Sequence, residues 1–261
     1  MRAMATAATG MMAQQTNVDV IANNIANANT TGFKSMRAAF QDLVYQSQVR
    51  EGALTNEAGT ARPVGVDIGM GVQTAGVIRL NTQGGLTATE NQLDVAIDGK
   101  GFFVVNMPDG STAYTRDGNF QMSAEGTLVT KQGYEIDPGI TIPDNSTSVA
   151  ISEQGIVSAY VGSSATPVEL GQLSMATFIN EAGMKAEGDN LLRETTASGE
   201  AVAANPGDEG VGVLRQGYLE NSNVNIIQQI TDLITAQRAY EMNSKAIQTA
   251  DEMLSSANQV R

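Results

Sequence analysis

Apolar side chains recur every three or four residues at both ends of the chain and every second residue between them. Met4, Ala8, Met11, Gln15, Val18, Ala22 and Ile25 form one stripe, which predicts a helix over residues 1–28. It should fray at Asn23, Asn24, Asn27 and Asn29 and stop before Gly32, because asparagine is a weak helix former and glycine a frequent terminator. Ile226, Ile230, Leu233, Gln237, Tyr240, Ser244, Ile247 and Leu254 repeat the spacing, with Asp251 breaking the stripe. Asn225 stands three residues before Gln228, a loose capping box. This second helix should therefore start there and run to about residue 258, a length of roughly 50 Å.

In the middle the period shortens to two. Leu93, Val95 and Ile97 alternate with Asp94, Ala96 and Asp98, and an apolar run from Phe102 to Val105 follows a Gly-Lys-Gly break. Asp109-Gly110, Asp117-Gly118, Gly126 and Gly133 punctuate apolar segments at about ten-residue intervals, the rhythm of successive hairpins. Further strands are expected at 147–151, 156–161, 168–170 and 173–179, giving an antiparallel β domain. The glycine, threonine and glutamine content of 46–90 predicts an extended arm or long hairpin, and the polar segment 195–212 a surface loop.

The fold class is thus α+β, mainly β, with two long terminal helices and a central antiparallel β domain. A chain that leaves and returns at one place can pair its end helices as an antiparallel coiled coil. One partner helix covers only part of each stripe, so further copies of the chain are expected to complete the burial and to order the ends. The alternative is a two-helix cap packed on its own β domain. The expected division is 1–40 for the N-terminal helix, 41–92 for an extended arm, 93–214 for the β-rich body and 215–261 for the C-terminal helix.

Composition removes most catalytic plans. The 261 residues contain neither cysteine nor histidine, so thiolate nucleophiles, imidazole bases, disulfides and the usual zinc ligands are absent. No cofactor, metal site or catalytic residue is expected, and the chain is read as no enzyme. The net charge of −13 argues against nucleic-acid binding. Residues 1–40 carry a balance of +2 and residues 215–261 a balance of −1, so the acidity sits in the middle. Nearly neutral ends suit packing against like ends of neighbouring copies, although charge can also fluctuate without meaning. No apolar run has the length of a signal peptide or membrane span, so a chain that leaves the cytoplasm would do so uncleaved.

Asn23, Asn24 and Asn27, followed by Thr31, Gly32, Phe33 and Lys34, resemble the N-terminal signature of the bacterial flagellar rod and hook proteins. Asp94–Phe103, Tyr114–Phe120, Gln216–Asn225 and Gln237–Lys245 are similar to further blocks of that axial family, in its order and spacing. Chain length and the segment Tyr45–Gly71 look most like the members that build the distal rod, with a proximal rod or hook paralogue as the alternative. The resemblance implies a helical homopolymer, a hollow drive shaft carrying motor torque to the hook. Its inner layer would be the paired helices, its outer layer the β domain, and residues 46–72 would bridge neighbouring subunits. The implied partners are proximal rod proteins, the hook protein, periplasmic and outer-membrane ring proteins and the flagellar export apparatus, without membrane insertion. The implied location is the basal body, where the rod spans the periplasm.

The candidate self-assembly residues are Met4, Met11, Val18, Ile25, Ile226, Ile230, Leu233, Tyr240, Ile247 and Leu254. Tyr240 is expected to pack between helices with its hydroxyl on a polar partner. Met1, Met4, Met11 and Met12 suit either an adaptable contact or plain core filling. The signature asparagines could bond between helices or simply end one. Gly69, Gly71 and Gly76 lack the spacing and the following helix of a dinucleotide loop. Asp94 and Asp98 could suggest a glycosidase pair, but placement on a solvent face explains them equally.

Overall fold

Asn225 caps the second apolar stripe. Its Oδ1 accepts the Gln228 amide at 3.2 Å, and α2 follows as Ile226–Gln259. The computed structural model describes residues 2–49, 64–162 and 166–259. They fall into two compact units, one of residues 2–26, 36–49, 64–78 and 225–259, the other of 27–35 and the rest of 79–224. Met1 and part of the expected arm, residues 50–63, lie outside the described residues.

In the first unit, α1 (Arg2–Ala26) lies against α2. Asn24 donates to Gln229 at 2.9 Å, while a Cβ on Gly10 would stand 2.9 Å from the Asn243 amide. Residue numbers rise along one helix as they fall along the other, so the two run in opposite directions. The same unit holds β1 (Met36–Asp42), β2 (Tyr45–Val49), β3 (Val66–Gly69) and β4 (Val72–Arg79). β1 pairs with β4, and β2 with β3 in antiparallel register, Tyr45 opposite Gly69. Leu43 N–H to Gly71 O and Met70 N–H to Val44 O carry the ladder between the two pairs. The 46–90 stretch therefore contributes to a two-stranded ribbon, with Val44, Tyr45, Val66, Ile68 and Met70 exposed along it.

The second unit is almost entirely β. Its strands are β5 (Leu86–Ala88), β6 (Val95–Asp98), β7 (Phe102–Asn106), β8 (Thr112–Thr115), β9 (Gln121–Met122), β10 (Leu128–Val129), β11 (Glu135–Ile136) and β12 (Ser146–Ile151). Then come β13 (Ile156–Val161), β14 (Val168–Gln172), β15 (Met175–Thr177), β16 (Lys185–Gly188), β17 (Leu191–Arg193), β18 (Val202–Ala204), β19 (Val213–Gln216) and β20 (Tyr218–Glu220). A nine-stranded sheet has the path β16-β17-β8-β7-β11-β10-β9, with β15 joined to β7 and β18 to β15. A three-stranded sheet, β12-β13-β14, and two pairs, β6 with β19 and β5 with β20, complete the body.

Period two places neighbours on opposite faces, and β7 shows it. Phe103 packs edge-to-face on Phe120 with centroids 4.9 Å apart, in the larger core with Val95, Ile97, Leu128 and Ile136. Phe102 faces the other way, into a smaller core with Tyr114, Phe178 and Met184.

Three expectations from the sequence change. Of Asp94 and Asp98, only Asp98 keeps contact with solvent: Asp94 is buried, with the Asn91 amide donating to it. Asp117-Gly118 is not a hairpin turn, for β8 and β9 do not pair. A Cβ on Gly118 would lie 1.6 Å from the Val95 carbonyl oxygen, so glycine permits a close crossing of two backbones there. Within 195–212, residues 202–204 form β18 against β15 rather than loop.

The free edge of β12 is closed by side chains. Gln216 accepts the Ile151 amide at 3.0 Å and donates to Val149 O at 2.8 Å, while Gln92 accepts the Val149 amide at 3.1 Å. Glutamine amides thus stand where another strand's peptide groups would, blunting an edge open to strand addition. Gln216→Ala strands the Ile151 amide and is expected to cost about 1–3 kcal/mol in thermal unfolding. No measurable loss would mean that water replaces the amide.

Candidate self-assembly interface

Few side chains of the paired helices are fully buried. Ala7, Ala13, Val20, Ile21 and Asn24 are buried on α1, and Ala236 and Ala250 on α2. Gly10 meets Asn243 across the two helices. Alanine and glycine let two helix backbones come close, which fixes the interaxial distance by what they lack.

The large residues singled out from the spacing are not fully buried. Met4, Met11, Val18 and Ile25 are half-buried, as are Leu233 and Ile247. Ile226, Ile230, Tyr240 and Leu254 are exposed, and so are Ile227, Ile234, Met242 and Met253. Gln15 and Ala22 of the expected first stripe face solvent.

Asn24 is the signature asparagine with the clearest role. It is 1% exposed, its amide donates to Met36 O at 2.7 Å and to Gln229 Oε1 at 2.9 Å, and its oxygen accepts the Met36 N–H at 2.8 Å. It therefore serves both backbone groups of the first residue of β1 and reaches α2 as well. Asn23 is exposed at the helix end, and Asn27 accepts two bonds from Thr30.

The rest of the signature is built into the β body. Thr31 donates to Asp117 at 2.9 Å and accepts from Asn190 at 3.1 Å through its carbonyl. Gly32 has φ +68, and a Cβ there would meet the Arg116–Asp117 peptide at 2.8 Å, so both conformation and space require glycine. Half-buried Phe33 donates its amide to Thr30 O.

Lys34 enters a buried ion cluster. Its ammonium donates to Glu220 Oε1 and, at 2.9 Å, to Thr82 O. Glu220 also accepts the Gly84 amide at 2.9 Å and faces Arg116, whose Nε lies 3.6 Å from its second oxygen. Arg116 in turn donates to Gly99 O at 2.7 Å and stands over the Phe102 ring. Lys34, Arg116 and Glu220 are 4%, 7% and 2% exposed. Burial pushes the Lys34 ammonium below the usual lysine value, against the opposing hydrogen bond to Glu220. Burial likewise lowers Arg116, with Glu220 and then Glu181 acting in the other direction. Two cations share one carboxylate, and the cluster ties down the backbone at Thr82, Gly84 and Gly99.

The carboxylates Asp94 and Asp98 serve separate partners, Asn91 for the first and Arg215 with Gln83 for the second. Glu220, Arg116, Asp117 and Asn190 were not among the residues chosen from the sequence. The signal available was that Arg116, Asp117 and Glu220 lie inside two of the motif blocks. Among the described residues no helix is long and apolar enough to cross a membrane.

Comparison with known proteins places these features in context. Residues 4–34 match the family model described as flagella basal body rod protein. Residues 96–159 match the flagellar hook protein FlgE/F/G D1 domain, and residues 215–260 the flagellar basal body rod FlgEFG protein C-terminal region. The flagellar basal-body rod protein FlgG of Caulobacter vibrioides is 52% identical over 261 residues, the whole of both chains. The protein of that name from Agrobacterium fabrum is 53% identical over 98% of this chain and 97% of its own length. That of Bacillus subtilis is 41% identical over 97% of each.

Proposed function

The chain belongs to the flagellar basal-body rod protein family and is a structural rod subunit of the basal body, and from that premise we propose that it builds the distal rod by polymerising through its terminal helices. The observation that carries the polymerisation is the apolar surface left on α2. Ile226, Ile227, Ile230, Ile234, Tyr240, Met242, Met253 and Leu254 all remain exposed after α1 has docked. Burying one such side chain contributes about 1.5–3 kcal/mol, so neighbouring copies have a large driving force to cover them.

In this reading Met4, Met11, Val18, Ile25, Ile226, Ile230, Leu233, Tyr240, Ile247 and Leu254 are the contact set. The paired helices form a coiled coil in the inner layer of a hollow tube, and the acidic β body lies outside. The segment 46–72, with Val66 and Ile68 exposed, bridges adjacent subunits and keeps the shaft straight. The tube carries motor torque to the hook. Proximal rod proteins, the hook protein, the surrounding rings and the export apparatus are its partners, and it is no enzyme.

Tyr240→Asp tests the helix-packing step. Tyr240 is 44% exposed in the free chain, so the variant should fold normally by thermal unfolding. In a polymer the introduced carboxylate would be driven into an apolar layer, and rods should be absent from cells that carry it. Rods of normal number and length from this variant would defeat the proposed role of α2.

A further inference from the structure

Three segments of the β-body unit run side by side: 30–35, 79–85 and 217–224. Gly32 N–H donates to Glu220 O at 2.8 Å, Leu80 N–H to Ser35 O at 2.8 Å and Asn221 N–H to Gly85 O at 2.8 Å. Side chains of the third segment hold the other two. Glu220 takes Lys34 from one and the Gly84 amide from the other. Asn223 accepts the Ser35 amide at 2.7 Å and donates to Leu80 O at 2.8 Å and to Thr82 Oγ1 at 2.9 Å. An amide side chain has one acceptor and two donors to offer, and here both kinds are used on two different segments.

These are the segments through which the chain passes from one unit to the other. The passages fall at 26/27, 35/36, 78/79 and 224/225. Three of them abut this bundle of segments within the β body, and the fourth, 26/27, leads into it through residues 27–29.

We propose that Glu220 and Asn223 are positioning residues that fasten the three segments into one stiff root, so that load on the β body is shared by all four chain passages. The proposal rests on the reading of the chain as a rod subunit. A subunit under torque whose passages were separately anchored would load the weakest first and peel its hydrogen bonds one at a time. Rooted together, the bonds are strained at once and must fail together. Placing the charged pair away from water suits this use, since charge-assisted bonds there are short, strong and directional. An apolar filling of equal volume could match such a pair in stability, but it would not fix the segments in register.

The test uses the full chain in cells whose own copy has been replaced. Asn223→Ala removes the ties of one side chain and strands no charge. Hydrogen exchange at the Ser35 amide should rise about tenfold, the equivalent of one lost hydrogen bond. Rods should form in normal number and cells should swim in dilute medium, yet rotation should be lost in viscous medium, where torque is high. Lys34→Met leaves one carboxylate facing one guanidinium and cuts other ties of the same root. The same loss under load is expected, so the test does not depend on one variant folding. If both variants turned at the speed of the unmodified protein under the highest load, the shared root would be refuted while the rod reading stood. Cells that swim equally well without the chain would remove the rod reading itself.

Discussion

Replacing Glu220 with alanine is expected to lower the stability of the β body by about 3–5 kcal/mol, the range for breaking a buried ion pair by removing one partner. The carboxylate is the counter-charge for both Lys34 and Arg116, which without it would be two buried cations facing each other. The Gly84 amide would lose its acceptor at the same time. For a body of this size the melting temperature should fall by roughly 10 °C. Lys34→Met should cost much less, because it leaves the remaining charges balanced. Moreover the lowered lysine value means that the charged form of the side chain carries a desolvation penalty. That penalty is in full force below the folded-state value and is relieved as pH rises through it toward the ordinary value of the unfolded chain. Thermal unfolding of the two variants side by side decides the matter: equal losses would mean that the carboxylate is not the hub of the cluster.

The second large effect is expected from Phe103→Ala, at about 3–5 kcal/mol. Phe103 is wholly buried, and its ring stands edge-to-face on Phe120 in the larger core. The strand that carries it is paired on both sides, Met175 lying opposite Phe103 on one and Thr115 on the other, so the backbone cannot sink into the cavity left behind. Incomplete collapse puts the cost at the upper part of the range for large-to-small changes. Denaturant unfolding should show a lower midpoint with an unchanged slope. A loss below about 1 kcal/mol would mean that neighbouring side chains refill the space, contrary to close packing.

Local patterns along the chain are enough for the elements that local forces make. The three-four spacing marks both helices, and the Asn225 cap sets the start of α2, because these depend on residues one or two turns apart. Gly110, Gly126 and Gly133 mark turns for the same reason, each having a positive φ that few other residues adopt. Alternation in β7 separates Phe102 from Phe103 into two cores, as period two requires. The family signature is legible as well, since it is a string of residue types in order.

What the residues of the assembly site touch is another matter. Apolar bulk along the stripe singles out Tyr240 and Ile230, but it does not say that both stay exposed in the single chain or that Gly10 meets Asn243 across the two helices. Likewise Asp94 reads as solvent-facing from alternation, yet it is buried in the folded chain. Lys34 and Glu220 are 186 positions apart, and no periodicity or composition brings them together. Helices, turns and kinship were determined by the sequence alone, because neighbours along the chain decide them. Which signature residue is buried, which carboxylate it meets and which face of α2 is left bare were decided only by the tertiary structure, because burial belongs to surfaces that exist once distant segments have come together.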